Sequence, residues 1–207
     1  MYRLIFIAFL ASVRAQLELE GACSLATVNA VENFNATQFS GQWFQIARIA
    51  NEENGVCVTS TFSPVVENNL LVSATYNSRQ VFNKTETWRN ATVTPGTGKV
   101  LVFTYPDQAL DTLVLDTDYD GFALLYSCWA NATHKKVWAW QLGRANAFSA
   151  QQTTNVNKAI EQNADIKAAQ WFRVGHSKQD CQTSGASVLL SPLIFSLAAY
   201  NLLSKLL

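Results

Sequence analysis

From residue 41 to residue 142 the hydrophobic and polar positions form short alternating runs that are typical of β-strands. The runs are rich in Val, Thr and aromatic residues, and turn-forming stretches such as Pro95-Gly96-Thr97-Gly98 separate them. Eight strands are predicted in this way, at Trp43–Ile49, Val56–Phe62, Leu70–Tyr76, Lys84–Thr92, Lys99–Tyr105, Thr112–Asp116, Gly121–Cys128 and Lys135–Leu142. Eight short strands joined by hairpin-length turns predict an all-β fold, an antiparallel up-and-down barrel.

A later segment, from about Ser149 to Asn163, has the spacing of an amphipathic helix. Its apolar positions recur at helical intervals, as Val156, Ala159 and Ile160. Either Ser149 or Thr153 can cap the first turn by accepting a backbone N–H bond. A last short strand is predicted at Ala169–Val174. We therefore expect one late α-helix packed outside the barrel, followed by a final strand.

The start of the chain is apolar and differs from the middle. Met1 to Ala15 contains a positive Arg3, an apolar run and a small-residue cleavage site, which is the pattern of a secretion signal. A short buried strand or helix is the alternative. The signal predicts an extracellular protein whose folded domain begins at residue 16.

The end of the chain is apolar again from Val188, after the small residues Ser184-Gly185-Ala186-Ser187. Small residues before a terminal apolar tail are the pattern of a glycosylphosphatidylinositol (GPI) anchor signal, and Ser184 is the predicted attachment residue. The alternatives are a retained transmembrane helix, since about 20 residues can cross a bilayer, and a buried helix. We expect one domain at 16–183, a removed signal at 184–207, and attachment to the outer leaflet of the plasma membrane.

The charge and cysteine content narrow the class of protein. The whole chain has 15 basic and 15 acidic residues, and no basic patch suggests a nucleic-acid partner. Four widely separated cysteines in a secreted chain predict two disulfides, with three possible pairings, and their spacings do not suit zinc. These are Cys23, Cys57, Cys128 and Cys181. Four glycosylation sequons, which begin at Asn35, Asn83, Asn90 and Asn131, indicate a glycoprotein.

Three motifs follow one another along the predicted barrel. Gly41-Gln42-Trp43 opens the first strand, Thr117-Asp118-Tyr119 precedes the seventh, and Arg144 follows the eighth. An Arg side chain on a Trp ring face closes the bottom of a small barrel through a cation–π contact. With the late helix and the cysteines, these motifs resemble the lipocalin family from Asn33 to Cys181. Within that family, the chain is similar to the apolipoprotein D-like branch, which includes insect bilin-binding proteins and a GPI-linked insect neural lipocalin.

The resemblance implies a disulfide pairing and an orientation for several strands. The pairing is Cys23–Cys128 with Cys57–Cys181, which leaves no thiol for a cysteine nucleophile. Trp43 and Arg144 would form the barrel floor with Gly41. Because neighbouring residues of a strand point to opposite faces, Trp138, Trp140 and Leu142 then share the inward face with Arg144. On the seventh strand the family pattern places Ala123, Leu125 and Ser127 inside, and Phe122, Leu124 and Tyr126 outside under the helix.

The same resemblance implies a set of ligand contacts on the cavity wall. The expected ligand-binding residues are Phe62, Thr75, Val102, Thr104, Leu125, Trp138 and Trp140. On the fifth strand it favours Val100, Val102 and Thr104 as inward residues over Leu101, Phe103 and Tyr105, although that strand is apolar on both faces. Thr75, Ser127 and Thr104 would orient a polar end of the ligand.

Taken together, the resemblance implies an extracellular, GPI-anchored or secreted glycoprotein that binds or carries a small hydrophobic ligand such as a bilin, retinoid, sterol or fatty acid. An eight-stranded barrel is wide enough for one such molecule. No cofactor is required beyond a bound bilin or other apolar ligand. The alternative is a cell-surface recognition or guidance protein with a protein partner, in which ligand binding is secondary.

Catalysis and metal binding are not expected. The sequence contains no nucleophile elbow, HExxH pair or phosphate loop, so the chain is not predicted to be an enzyme. His134 and His176 stand alone, and no metal site is predicted. Haem ligation by a histidine is the remaining alternative, but His134 lies in a turn where we expect it to be exposed.

Overall fold

The structure is a computed structural model that describes residues 17–49, 55–63, 70–78, 84–96, 98–105 and 109–181. Side chains are described for all of these except residues 70–78 and 84–90. The predicted secretion signal, the anchor signal with Ser184, the apolar tail and Asn83 lie outside the described residues. Within the described ranges, no helix has both the length and the apolar character needed to cross a membrane.

Ten strands form one antiparallel sheet in the described part of the chain. They are β1 (Leu17–Glu20), β2 (Gly41–Ile49), β3 (Val56–Phe62), β4 (Leu70–Ser78), β5 (Lys84–Pro95), β6 (Leu101–Thr104), β7 (Ala109–Thr117), β8 (Phe122–Ala130), β9 (His134–Gly143) and β10 (Phe172–Arg173). The helices are α1 (Ala36–Phe39), α2 (Ala150–Glu161) and α3 (Lys178–Cys181), with a 3₁₀ turn at Leu25–Thr27.

The strands from β2 to β9 close into a barrel. Each pairs with its neighbour in sequence, and β9 also pairs with β2, with Phe44 opposite Gly143 and Ile49 opposite Ala139. The predicted eight-stranded antiparallel up-and-down barrel is therefore confirmed. The other two strands extend it: β1 pairs with the start of β9, and the two-residue β10 pairs with β2.

The two faces of the barrel wall carry two separate apolar clusters. The inner cluster consists of Phe39, Trp43, Phe62, Ala91, Val93, Phe103, Ala123, Leu125 and Leu142. The outer cluster lies between the wall, α2 and the N-terminal segment; among its members are Leu113, Phe122, Leu124, Tyr126, Val137, Ala139, Val156 and Ile160. On β8, Ala123 and Leu125 are therefore inside and Phe122, Leu124 and Tyr126 outside, as the resemblance implies.

Helix α2 begins at a capping box. The Ser149 hydroxyl accepts from the Gln152 backbone N–H at 3.2 Å, and the Gln152 side chain accepts from the Ser149 N–H at 2.8 Å. These bonds satisfy backbone donors that an α-helix leaves free at its N-terminus. The predicted apolar positions Val156, Ala159 and Ile160 are buried in the outer cluster, so the helix covers one side of the barrel.

A buried polar group anchors the segment that follows α2. The Tyr126 hydroxyl donates to Asp165 at 2.7 Å, and the Lys135 ammonium contacts the other oxygen of that carboxylate at 2.7 Å. Both side chains of the ion pair are largely shielded from solvent. Burial, with Asp165 as a further cause, raises the pKa of Tyr126 well above its ordinary value, so this phenol stays a donor.

Two disulfides tie the chain ends to the barrel. Cys23 is joined to Cys128 and Cys57 to Cys181, which is the pairing that the resemblance implies. They join positions 105 and 124 residues apart in sequence, and loops of that length give about 4–5 kcal/mol each in the chain-entropy estimate. All four cysteines of the chain are used, and such bonds persist in oxidising compartments.

Candidate functional site

Trp43 is the centre of the closed end of the barrel. It is fully buried, and its indole N–H donates to the Phe39 carbonyl at 2.8 Å. The Phe39 ring stacks on it with 4.8 Å between ring centroids, and the Arg144 guanidinium carbon lies 3.8 Å from the indole centroid. The indole is therefore held between an aromatic ring and a cation, in the arrangement predicted for the floor.

Arg144 closes the floor with hydrogen bonds as well as with charge. Its Nε donates to the Tyr119 carbonyl at 3.0 Å, and its Nη1 donates to the Gln42 carbonyl at 3.0 Å. Nη2 reaches carbonyls at the end of α1, including that of Ser40 at 2.9 Å. Burial lowers the pKa of Arg144 while two nearby aspartates oppose the shift. A planar guanidinium with five donors suits this set of carbonyls.

Gly41 makes room for that guanidinium. Its φ of +100° lies in the left-handed region that favours glycine, and a Cβ placed there would lie 3.1 Å from Arg144 Nη1. Both observations require the glycine of the first motif.

The second motif shapes the turn that presents the Tyr119 carbonyl to Arg144. Thr117 accepts from the Tyr119 N–H at 2.9 Å, and Asp118 accepts from the Gly121 and Phe122 N–H groups at 2.8 and 2.9 Å. Tyr119 has a φ of +64°, which is unusual for a non-glycine residue. Its hydroxyl accepts from the Asn35 N–H at 3.0 Å. The motif therefore has a structural role at the floor.

The inward faces of β3, β6, β8 and β9 form an apolar wall that begins at the floor, where Phe62 pairs with Gly41. Phe62 packs edge-on against Phe39 at 4.9 Å and against Phe103 at 6.4 Å between ring centroids. Leu125 belongs to the same inner cluster, and Trp140 packs against it while remaining half-buried. The structure thus brings three of the predicted ligand residues, Phe62, Leu125 and Trp140, onto one surface.

The predicted orientation of the fifth barrel strand, β6, is wrong. Phe103 belongs to the inner cluster, and Leu101 and Tyr105 pack against it. The residues that the resemblance favoured as inward face outward. Thr104 is exposed, and Val100 packs against the outer cluster. Val102 is next to inward Phe103 in the strand and therefore points to the opposite face. The cause is the register with β5, which pairs Phe103 with inward Val93 and Thr104 with Thr92, since cross-strand partners share a face.

Trp138 is in the predicted register but has different contacts. It pairs with Ser127 on the face that carries Trp140, yet its half-buried indole packs against the outer cluster. Trp138 is two residues further along β9 from the floor than Trp140 is, a distance of about 7 Å. It does not belong to the inner cluster. Thr75 lies in β4, where its backbone pairs with Thr59 and Thr87, and its side chain lies outside the described part of the structure. Ligand contact by both residues stays a prediction.

The sequence pattern did not predict that two polar residues of β2, Gln45 and Arg48, face inward. A β-bulge between Gln45 and Ala47 breaks strict alternation, so Gln45 pairs with Leu142 and Arg48 pairs with Trp140, both on the inner face. Both side chains are buried, and Arg48 Nη1 donates to Gln45 Oε1 at 2.8 Å. A one-residue bulge has no clear signature in the sequence, which is why an inward Arg was not predicted.

A pair of buried hydroxyls adds further polarity to the inner face. Ser127, predicted to be inside, lies 2.6 Å from Thr112 between hydroxyl oxygens, and both residues are buried. Together with Gln45 and Arg48, the pair places a few polar groups on a wall that is otherwise apolar. That combination is typical of sites for small apolar molecules with one polar end.

The histidines do not form a metal site with the described residues. His134 is exposed, as expected, and its Nδ1 lies 2.8 Å from the Thr133 hydroxyl. His176 Nε2 lies 2.8 Å from the Gln45 carbonyl oxygen, and potential ligand atoms of His176, Cys57 and Cys181 fall within 4.8 Å of one another. Those two sulfurs are joined in a disulfide, so neither is the thiolate that binds metals.

Comparison with known proteins identifies the family. The model of the lipocalin / cytosolic fatty-acid binding protein family matches residues 40–177, which include the floor and the whole barrel. The chain belongs to this family. The Lazarillo protein of Schistocerca americana is 32% identical over 106 residues, which cover 48% of this chain and 49% of that protein. The chain thus matches about half the length of this relative.

Solved lipocalin structures share the fold. Insecticyanin from the tobacco hornworm Manduca sexta superposes with a TM-score of 0.67 at 19% identity, covering 82% of this chain and 94% of insecticyanin. Lobster apocrustacyanin A1 gives a TM-score of 0.63 at 19% identity, with 79% and 93% covered. At this level of identity the likeness concerns the lipocalin barrel alone.

Proposed function

We propose that this lipocalin binds and carries a small hydrophobic molecule, such as a bilin, retinoid, sterol or fatty acid, inside its barrel. The observation that carries the proposal is the apolar inner wall that rises from the closed floor, where Phe62, Leu125 and Trp140 belong to one cluster. Aromatic side chains offer a large contact area and a stacking surface to such a ligand. The floor formed by Trp43 and Arg144 is structural, so the ligand lies above it.

The polar groups on the inner wall would orient the ligand. Ser127 belongs to the polar set expected from the sequence, and its hydroxyl pairs with that of Thr112. Thr104, from the same set, is exposed, and the Gln45–Arg48 pair adds polar groups that were not expected. Arg48 carries donors only, so it favours a ligand whose polar end accepts hydrogen bonds. Binding is proposed in preference to catalysis, because the four cysteines are all in disulfides and the family is one of binding proteins.

Ligand binding is tested with an apolar fluorescent probe that quenches the indoles. Trp140→Ala removes a wall residue and should weaken binding by about tenfold, which corresponds to about 1.4 kcal/mol. Phe44→Ala is the matched control, because Phe44 is a half-buried aromatic that alternates with inward Trp43 on β2 and packs edge-on against His176 outside the barrel. Circular dichroism establishes first that both variants fold. If folded Trp140→Ala binds every ligand tested as the parent does, the assigned wall is wrong.

We further propose that the protein is an extracellular glycoprotein held at the cell surface by a GPI anchor. Two disulfides support an oxidising compartment. The sequon residues Asn35 and Asn131 are exposed, and each uses its side-chain oxygen to accept a backbone bond while its nitrogen remains available for a glycan. The domain division at 16–183 and attachment at Ser184 are part of this proposal.

Anchoring is tested on cells that express the full chain. Phosphatidylinositol-specific phospholipase C should release the protein, and Ser184→Pro, which disfavours processing at the attachment residue, should reduce surface display. Protein that stays in the membrane after the enzyme treatment, and still contains Leu207, would show a retained helix instead.

A second candidate function is cell-surface recognition, in which ligand binding is secondary. The observation that favours it is Trp129, which is 49% exposed near the end of β8, at the end of the barrel opposite the floor. Exposed aromatic residues are enriched in protein interfaces. If recognition is the main function, Trp129→Ala should reduce binding of the protein to cells, whereas Trp140→Ala should leave it unchanged.

A further inference from the structure

A second cavity lies on the outside of the barrel, between the wall and α2. Its volume is about 610 Å³. Ala47 and Gln141 line its side against the barrel wall, and these two residues pair with each other on the outward face of β2 and β9. The inward partners on the same strands are Gln45 with Leu142 and Arg48 with Trp140. The barrel wall therefore separates this outer cavity from the barrel interior.

The position of α2 explains why the outer cavity exists. The helix packs against β7 and β8, and a helix about 10 Å across covers only about two strands spaced about 4.8 Å apart. Beyond it, β9 and β2 are covered by the loop at 146–148 and by the segment at 167–174. Small residues lie on both sides of this gap, Ala47 on the strand and Ala147 on the loop, so the gap is not filled.

The lining of the outer cavity combines an apolar body with a polar rim. Its largest apolar side chains are Ile46, Phe148, Ile160 and Trp171, of which Phe148 and Trp171 are half-buried against the outer cluster. Pockets that bind drug-sized molecules have about 300–1,000 Å³ and mostly apolar walls. The size of the outer cavity falls within that range, and its lining carries polar as well as apolar surface.

Cations outnumber acids among the side chains that line the outer cavity. Lys167 and Arg173 are exposed at the rim and form no ion pair with a described residue, and Glu161 is the one acidic residue of the lining. These three side chains give the rim a net positive charge, which favours a ligand whose polar end is an anion.

We propose that the outer cavity is a second ligand-binding site, which takes an amphiphile with an apolar chain and a carboxylate. The chain lies on Ile46, Phe148 and Ile160, and the carboxylate faces Lys167 and Arg173. The site is independent of the barrel interior, and each can be occupied without the other.

The stoichiometry of a dansyl-labelled undecanoate, measured by calorimetry on the folded chain, tests the proposal. The parent should bind two equivalents, and Ala147→Trp, which fills the outer cavity from an exposed loop position, should bind one. Ala164→Trp is the matched control, because Ala164 is also exposed and does not line the cavity. If the barrel binds nothing, the parent should bind one equivalent and Ala147→Trp none, which separates the two sites. Unchanged stoichiometry in folded Ala147→Trp, or no binding by the parent, overturns the proposal.

A double variant tests the chemistry of the site without filling it. Replacing both Lys167 and Arg173 by Gln alters only exposed positions. It should weaken binding of the undecanoate at the outer cavity by about tenfold and change binding of the matching undecanol little. Equal effects on the acid and the alcohol refute the assigned contacts.

Discussion

Replacing Arg144 by lysine should destabilise the closed end of the barrel while leaving its ligand site intact. The guanidinium carbon lies 3.8 Å from the Trp43 ring centroid, and the same group donates to carbonyls of Tyr119, Gln42 and Ser40. Lysine keeps the charge, but its single ammonium cannot stack on the ring and reach carbonyls on three segments at once.

The magnitude follows from these contacts. A desolvated cation–π contact is worth about 2 kcal/mol, and a hydrogen bond from a charged donor about 1.5–3 kcal/mol. Arg144 is half-buried, so water replaces part of what is lost, and lysine retains at least one of the carbonyl contacts. We therefore expect the free energy of unfolding to fall by about 2–3 kcal/mol, or the melting temperature by about 5–10 °C for a domain of this size.

Urea denaturation followed by tryptophan fluorescence measures the effect. Arg173→Lys is the control, since Arg173 is exposed on β10, and such changes stay within about 0.5 kcal/mol. A double-mutant cycle with Trp43→Phe isolates the contact between the two side chains. An unchanged urea midpoint in Arg144→Lys would refute the role of Arg144 in the floor. A large loss of ligand affinity with unchanged stability would make it a ligand contact.

Three other perturbations probe the scaffold. Because burial raises the pKa of Tyr126, the unfolded state releases the phenol proton at a lower pH than the folded state does. The free energy of unfolding should therefore fall above about pH 10, and Tyr126→Phe should make that fall smaller in urea titrations. Replacing Cys57 and Cys181 by Ser should cost about 4 kcal/mol, whereas non-reducing peptide maps that join other cysteines would refute the pairing. Gly41→Ala should lower the melting temperature, because its Cβ crowds Arg144.

The closed end of the barrel was the part most readily predicted from the sequence. Gly41, Trp43 and Arg144 each have a distinct chemical role that few other residue types can fill: a positive φ, a large ring and a planar cation. The outer face of β8 was predictable too, because α2 has a clear apolar stripe and the strand alternates beneath it.

The orientation of β6 was not predictable because both of its faces are covered. Phe103 faces the inner cluster, while Val100, just before the strand, packs against the outer cluster together with residues of the N-terminal segment. An ion pair between Lys99 and Glu32, 3.1 Å apart, joins the same two segments. Apolar residues therefore occur on both sides, and only the pairing of Phe103 with Val93 decides which side faces inward.

The interior of the barrel depends on one irregularity that the hydrophobic pattern does not reveal. Strict alternation from Trp43 would place Ala47 inside and Arg48 outside, which is the arrangement that burial energies favour for these residue types. The bulge after Gln45 reverses the order and brings the Arg48 side chain to the inner face, opposite Trp140. A buried guanidinium needs acceptors, and Gln45 supplies one at 2.8 Å. The same bulge turns Ala47 outward, where its small side chain lines the outer cavity on the side of the barrel wall. One inserted residue in β2 thus determines both the polarity of the inner wall and the space outside it.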